Sequence, residues 1–147
     1  MPQRSALIEA ARAAARNAHA PYSHFGVGAA VLLESGEIVA GCNFENASYG
    51  LTLCAETVAL ATVNAQGKLR HVREIAIIGG ALLAGEISGK DIVHPCGRCR
   101  QVIHEAAQLS ACDILVHCAS AEGETIKSAP ISVLLPHAFG PRDVGVT

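Results

Sequence analysis

Hydrophobic and polar positions fall into two kinds of pattern along this chain, helical spacing and short apolar strand runs. Residues 5–18 are alanine-rich, with Arg12 and Arg16 at helical spacing, and predict an amphipathic helix that Pro21 stops. Residues 28–33 and 38–42 are apolar runs flanking Glu34-Ser35-Gly36-Glu37, the pattern of a β-hairpin. Residues 43–50 are polar and turn-like. Residues 53–66 return to helical spacing and meet Gly67 as a C-terminal stop. Residues 72–78 carry Ile75, Ile77 and Ile78 and predict a buried strand. Residues 79–95 are expected to be mostly loop. A further helix is predicted over 97–109, a strand over 113–118 and a short edge strand over 125–127. Residues 131–135 are apolar and end at Pro136, and the pattern leaves helix and strand equally open there. No linker, repeat or low-complexity tract divides residues 1–147, so one domain is expected. Strands alternating with helices predict an α/β fold, a three-layer α/β/α sandwich around a mixed central sheet.

Composition narrows the partners. Half of the 147 residues are hydrophobic and only 16% are charged, which is lean for a small monomer and implies surface buried in an oligomer. The net charge of −2 implies no basic face, so nucleic acid and anionic membranes are not expected partners. Arg4, Glu9, Arg12 and Arg16 break the N-terminal segment, and neither a signal peptide nor a membrane span is expected. A cytoplasmic location follows as an expectation, and there six cysteines read as thiols or metal ligands rather than disulfides.

Two clusters carry the chemistry: Cys54-Ala55-Glu56, and Pro95-Cys96-Gly97-Arg98-Cys99-Arg100-Gln101. Both fall at predicted helix N-termini, where free N–H groups and the helix dipole favour thiolates. In Cys96-x-x-Cys99 the sulfurs sit about one turn apart on one face. Cys54, Cys96 and Cys99 therefore form a three-ligand zinc site whose fourth position stays open to water or substrate, the catalytic arrangement. Glu56 is too near Cys54 to be a fourth ligand and is a candidate general acid/base. The competing readings are a redox Cys-x-x-Cys pair, which leaves Cys54 and Glu56 unexplained, and a zinc site closed by His94, which leaves Glu56 without a role. Cys42, Cys112 and Cys118 read as small buried hydrophobes. His19, His71, His104, His117 and His137 read as surface or capping residues, and His24 and His94 as structural.

From residue 20 to residue 140 the chain resembles the homotetrameric cytidine deaminases. The matching segments are Ala20-Pro21-Tyr22-Ser23-His24-Phe25-Gly26-Val27-Gly28-Ala29-Ala30 and Gly41-Cys42-Asn43-Phe44-Glu45-Asn46-Ala47-Ser48-Tyr49, then both cysteine clusters, and finally Leu134-Leu135-Pro136-His137-Ala138-Phe139-Gly140. The cysteine clusters alone specify only the zinc-deaminase superfamily; the Asn43–Ser48 segment and the terminal Leu-Leu-Pro-x-x-Phe point to pyrimidine nucleosides. The resemblance implies hydrolytic deamination of cytidine and 2′-deoxycytidine to uridine and 2′-deoxyuridine with release of ammonia, in pyrimidine salvage. It implies one Zn²⁺ per subunit on Cys54, Cys96 and Cys99, with Glu56 as proton shuttle. It further implies Asn43 and Glu45 on the ribose, Phe25 packed on the pyrimidine, a backbone contact from Ala55 to the base, and Phe139 reaching a neighbouring subunit's site. An aminopyrimidine nucleoside deaminase of the blasticidin S type and a non-enzymatic zinc-binding module remain as alternatives. One position departs from the pattern. Three-cysteine members commonly carry Arg after the glutamate, whereas this chain has Thr57. The thiolate charge is therefore expected to be offset by backbone N–H groups at the helix N-termini.

Overall fold

The computed structural model describes residues 2–146. Helix α1 spans Pro2–Ala15, and strands β1 (Phe25–Leu33) and β2 (Ile38–Cys42) form the hairpin. Helix α2 (Ala55–Ala65) leads to β3 (Val72–Leu83), which folds back into β4 (Glu86–Ser88). Helix α3 (Gly97–Ser110), β5 (Leu115–Ser120), β6 (Ile126–Pro130) and the short α4 (Ile131–Leu134) complete the order. The sheet runs β2-β1-β3-β5-β6, with β4 on the far end of β3. Every pairing is antiparallel except β3 with β5, whose parallel register sets Ile75 beside Val116. A parallel pair needs a crossover, and α3 supplies it.

The central strands are buried on both faces, so each divides its side chains between two cores. On one face Ala30, Leu32, Ala76, Ile78 and Ala119 pack against Leu7, Ile8, Ala11 and Ala15 of α1. On the other, Ala29, Val31, Ile75, Ile77 and Val116 pack against Ala59, Leu60 and Val63 of α2, Ile103 and Ala106 of α3, and Ile131 of α4. This is the expected three-layer α/β/α sandwich. No helix among the described residues is long and apolar enough to cross a membrane.

Two glycines set the helix–sheet spacing. A Cβ on Gly28 would stand 1.8 Å from the carbonyl oxygen of Ala11, and one on Gly41 would stand 2.7 Å from the amide nitrogen of Ala59. Helix α1 therefore rests directly on β1, and α2 on β2.

The structure corrects several expectations. Helix α1 ends at Ala15, three residues before the predicted end. Strand β1 begins at Phe25 rather than at residue 28. The segment 79–95 is not mostly loop: β3 continues to Leu83 and turns through Ala84 (φ 51°) and Gly85 (φ 78°) into β4. Both turn residues have positive φ, as a tight two-residue hairpin requires. Gly79 and Gly80, in the segment expected to be loop, lie within β3, where side chains would strike Val93 and the Ser88 carbonyl. Residues 131–134 are helical. His117 is buried, not a surface residue: its Nε2 lies 2.6 Å from Glu74 and its Nδ1 2.7 Å from Ser128 Oγ, a polar row across β3, β5 and β6. Of the three cysteines expected in the core, Cys118 is buried, while Cys42 and Cys112 are only half-buried.

Gly28→Ala should destabilise the fold by about 3 kcal/mol in denaturant titration, because overpacking against backbone cannot relax by a side-chain rotation. Gly50→Ala, where an added methyl meets nothing within 4 Å, should stay within about 0.5 kcal/mol of the parent.

Candidate active site

Helices α2 and α3 begin at one place. Cys54 is the N-cap of α2 and Cys96 the N-cap of α3, both with extended backbone (ψ 154° and 166°). Cys99 follows in the first turn of α3. The three sulfurs all lie within 4.8 Å of one another, and those of Cys54 and Cys96 are 3.8 Å apart. A disulfide needs about 2.05 Å. A tetrahedral ion with Zn–S bonds of about 2.3 Å separates its sulfurs by about 3.8 Å. The donor set therefore fits zinc. His94 is not part of this cluster, so the closed four-ligand arrangement is not formed among the described residues.

Burial grades the three thiols. Cys99 is fully buried, Cys54 half-buried and Cys96 exposed. Burial, followed by the charge of Glu56, pushes the Cys99 thiol far above its usual range. Burial also raises Cys54. Burial pulls Cys96 upward too, but the backbone N–H of Cys99 and the neighbouring sulfurs outweigh it and bring this thiol down. Cys118, deeper in the core, is pushed up to about 11 by burial and stays a neutral thiol.

Glu56 sits in the first turn of α2 and is 3% exposed. No basic side chain among the described residues pairs with it. It opens with Asn43, Thr52, Cys54, Ala55 and Cys96 onto a cleft of about 190 Å³ whose other walls include Val27 and Val93. Sequence reasoning missed these two valines. Val27 lies inside the 20–30 motif segment, and Val93 lies two residues before the Pro95 cluster, which were the signals available.

Thr57 places its hydroxyl 3.6 Å from the Cys99 sulfur. Arg100 is engaged elsewhere, on the carbonyls of Pro95 and Leu134 at 2.8 Å each, and Arg98 reaches the Thr52 carbonyl at 3.5 Å. The backbone N–H of Cys99 is the donor on Cys96. The backbone offset expected from the sequence is present on one sulfur, that of Cys96; among the described residues Cys54 and Cys99 have no backbone donor to lower them.

The remaining candidates are spread around the cleft. The Asn43 side chain accepts from Val27 N–H at 2.8 Å and donates to the Phe25 carbonyl at 2.9 Å, binding the start of β1 to the end of β2. The Phe25 ring lies over Gly79 beside Val93, at the edge of the cleft. Glu45 accepts hydrogen bonds from the turn at Tyr22 and Ser23. Phe139 is not brought to its own chain's cleft: it is 64% exposed, and its carbonyl accepts from Gln101. Ser23 carried no role in the sequence reading, although it lies inside a motif segment.

The model of the cytidine and deoxycytidylate deaminase zinc-binding region matches residues 1–114. The chain is 41% identical over 141 residues to a cytidine deaminase of Halalkalibacterium halodurans, covering 96% of this chain and 97% of that one. It is 39% identical over 133 residues to one of Mycobacterium tuberculosis, covering 89% and 85%. Among solved structures, cytidine deaminase from Burkholderia pseudomallei superposes with a TM-score of 0.77 at 41% identity, covering 92% of this chain and 98% of that one. The Mycobacterium tuberculosis enzyme gives 0.70 at 36% identity, covering 93% and 97%.

Cys96→Ser and Cys99→Ser should each lower bound zinc well below one ion per chain in metal analysis, because two sulfurs cannot complete the set. Cys112→Ser should leave the metal content of the parent protein unchanged.

Proposed function

Because the chain belongs to the cytidine deaminase family, we infer that residues 1–147 form one zinc-dependent catalytic domain converting cytidine and 2′-deoxycytidine to uridine and 2′-deoxyuridine. The observation that carries this reading is the three-sulfur cluster at two helix N-termini, with buried Glu56 facing the same cleft. Cys54, Cys96 and Cys99 hold the ion, and Zn²⁺ supplies Lewis-acid activation of water near neutral pH. The reaction forms a C4–O bond and breaks the C4–N bond, so water and cytidine leave as uridine and ammonia.

Each proton in that exchange has to be moved, and Glu56 is the group in position. It takes a proton from the attacking water, delivers it to N3 of the pyrimidine, and then carries one to the departing amino nitrogen. Its burial beside the sulfurs excludes bulk water from those transfers. The Ala55 carbonyl orients the base, the Phe25 ring packs on it, and Asn43 and Glu45 take the sugar hydroxyls. Phe139 closes the site of a neighbouring subunit. What supports that last assignment is its exposure with no place in its own cleft, together with exposed Phe44, Tyr49 and Leu51 and the low surface charge. The reading extends to a cytoplasmic homotetramer with shared active sites, working in pyrimidine salvage.

Glu56→Gln preserves shape and should keep the zinc while lowering kcat by about 10²–10⁴-fold in an absorbance assay with cytidine. A variant within tenfold of the parent would remove Glu56 from the mechanism, and turnover of blasticidin S in preference to cytidine would replace the substrate assignment. Light scattering should show a four-chain mass. Phe139→Ala should raise KM several-fold at unchanged zinc content, whereas a fully active monomer would exclude shared sites.

A further inference from the structure

We propose that Ser23 is a positioning residue that locks Glu45 into a one-hydroxyl acceptor for the sugar and ties it to the aromatic Phe25. The proposal rests on the reading of Glu45 as a sugar contact. The Ser23 hydroxyl donates to Glu45 Oε2 at 2.5 Å and accepts from the Phe25 N–H at 3.1 Å. One oxygen thus joins the carboxylate assigned to the sugar to the residue assigned to the base. The Tyr22 and Ser23 N–H groups donate to Glu45 Oε1 at 3.1 and 3.2 Å.

A carboxylate offers about four acceptor sites. Three are taken by this turn, which leaves one for a ligand. An exposed glutamate free to rotate would present its oxygens to any donor in any direction. Here three donors fix both oxygens, and a single hydroxyl at one angle completes the set. Slight burial works to raise the carboxyl, but the Ser23 hydroxyl and the two backbone donors outweigh it and hold it below its usual range, so the group is an acceptor only.

The backbone around this pair is fixed from both sides. His19 N–H donates to the Asn43 carbonyl at 3.1 Å, and Glu45 N–H donates to the His19 carbonyl at 2.8 Å. His24, between Ser23 and Phe25, has a left-handed φ of 55°, and its N–H donates to the Ala20 carbonyl at 2.9 Å. A non-glycine residue keeps that conformation only where its neighbours impose it. The turn is therefore built to hold Ser23 in place, and the Ser23 hydroxyl passes that order on to Glu45.

The test compares Ser23→Ala and Ser23→Thr with the parent enzyme on cytidine and on 2′,3′-dideoxycytidine, which lacks both secondary hydroxyls. Ser23→Ala should raise KM for cytidine about three- to tenfold with kcat within about twofold and zinc unchanged. On dideoxycytidine the same variant should match the parent within about twofold, and Ser23→Thr should restore cytidine KM. A penalty of equal size on both substrates, or no penalty in a parent that does discriminate between them, overturns the role of Ser23 while leaving Glu45 in place. A parent enzyme with the same KM for both substrates overturns the sugar reading of Glu45 and this proposal with it.

Discussion

The site depends on two helices that end their approach at the same point. Helices α2 and α3 lie on one face of the sheet, and both start at a cysteine. Nothing in either helix alone requires that. The parallel pairing of β3 and β5 requires a crossover, and the crossover lays α3 beside α2. Gly41, which offers no side chain to Ala59, lets α2 settle onto β2. If either helix shifted by an ångström, the 3.8 Å between Cys54 and Cys96 would no longer match tetrahedral zinc. The cores above and below the sheet thus determine the spacing of three sulfur atoms.

That geometry gathers charge of one sign. Three sulfurs and a buried carboxylate share one small volume, and removing an unpaired carboxylate from water costs several kcal/mol. The charge of Glu56 raises the nearby thiols, as expected of like charges held close together. A divalent cation reverses each of these interactions, because the groups that repel one another are all attracted to it. Metal binding and the stability of this corner of the fold are accordingly one equilibrium.

Much of this was legible in the residues. The cysteine clusters showed three ligands because Cys-x-x-Cys spacing and helix N-termini are local properties. The hairpin around Ser35-Gly36 was legible for the same reason. What failed was the expectation of loop from residue 79 onward. Gly79 and Gly80 serve close approach inside β3, and only the position of Val93 and Ser88, distant in sequence, decides between that role and a turn. His117 was misplaced because its partner Glu74 comes from a strand 43 residues away, which no periodicity reports. The motif segments contained Ser23, but its hydrogen bonds join residues 22–25 to residue 45, and that contact exists only once β1 and β2 are paired.

Thr57 shows how such a site tolerates the absence of a cation beside its thiolates. Three thiolates around Zn²⁺ leave a formal charge of −1, and thiolate donation weakens the metal as a Lewis acid. The nearest arginines in sequence do not fill the gap: Arg100 is held by the Pro95 and Leu134 carbonyls, and Arg98 by that of Thr52. Two helix N-termini remain, each worth about 0.3–1 kcal/mol to an adjacent anion and up to about 2 when partly buried. The Thr57 hydroxyl, 3.6 Å from the most buried sulfur, adds a neutral donor where an exposed one would be solvated and contribute little. The groups at hand for the offset are the backbone donor on Cys96 and the Thr57 hydroxyl beside Cys99, not a guanidinium. Dipoles of that kind are fixed by the fold, so here the same helix positions that set the sulfur spacing also set the electrostatics of the site.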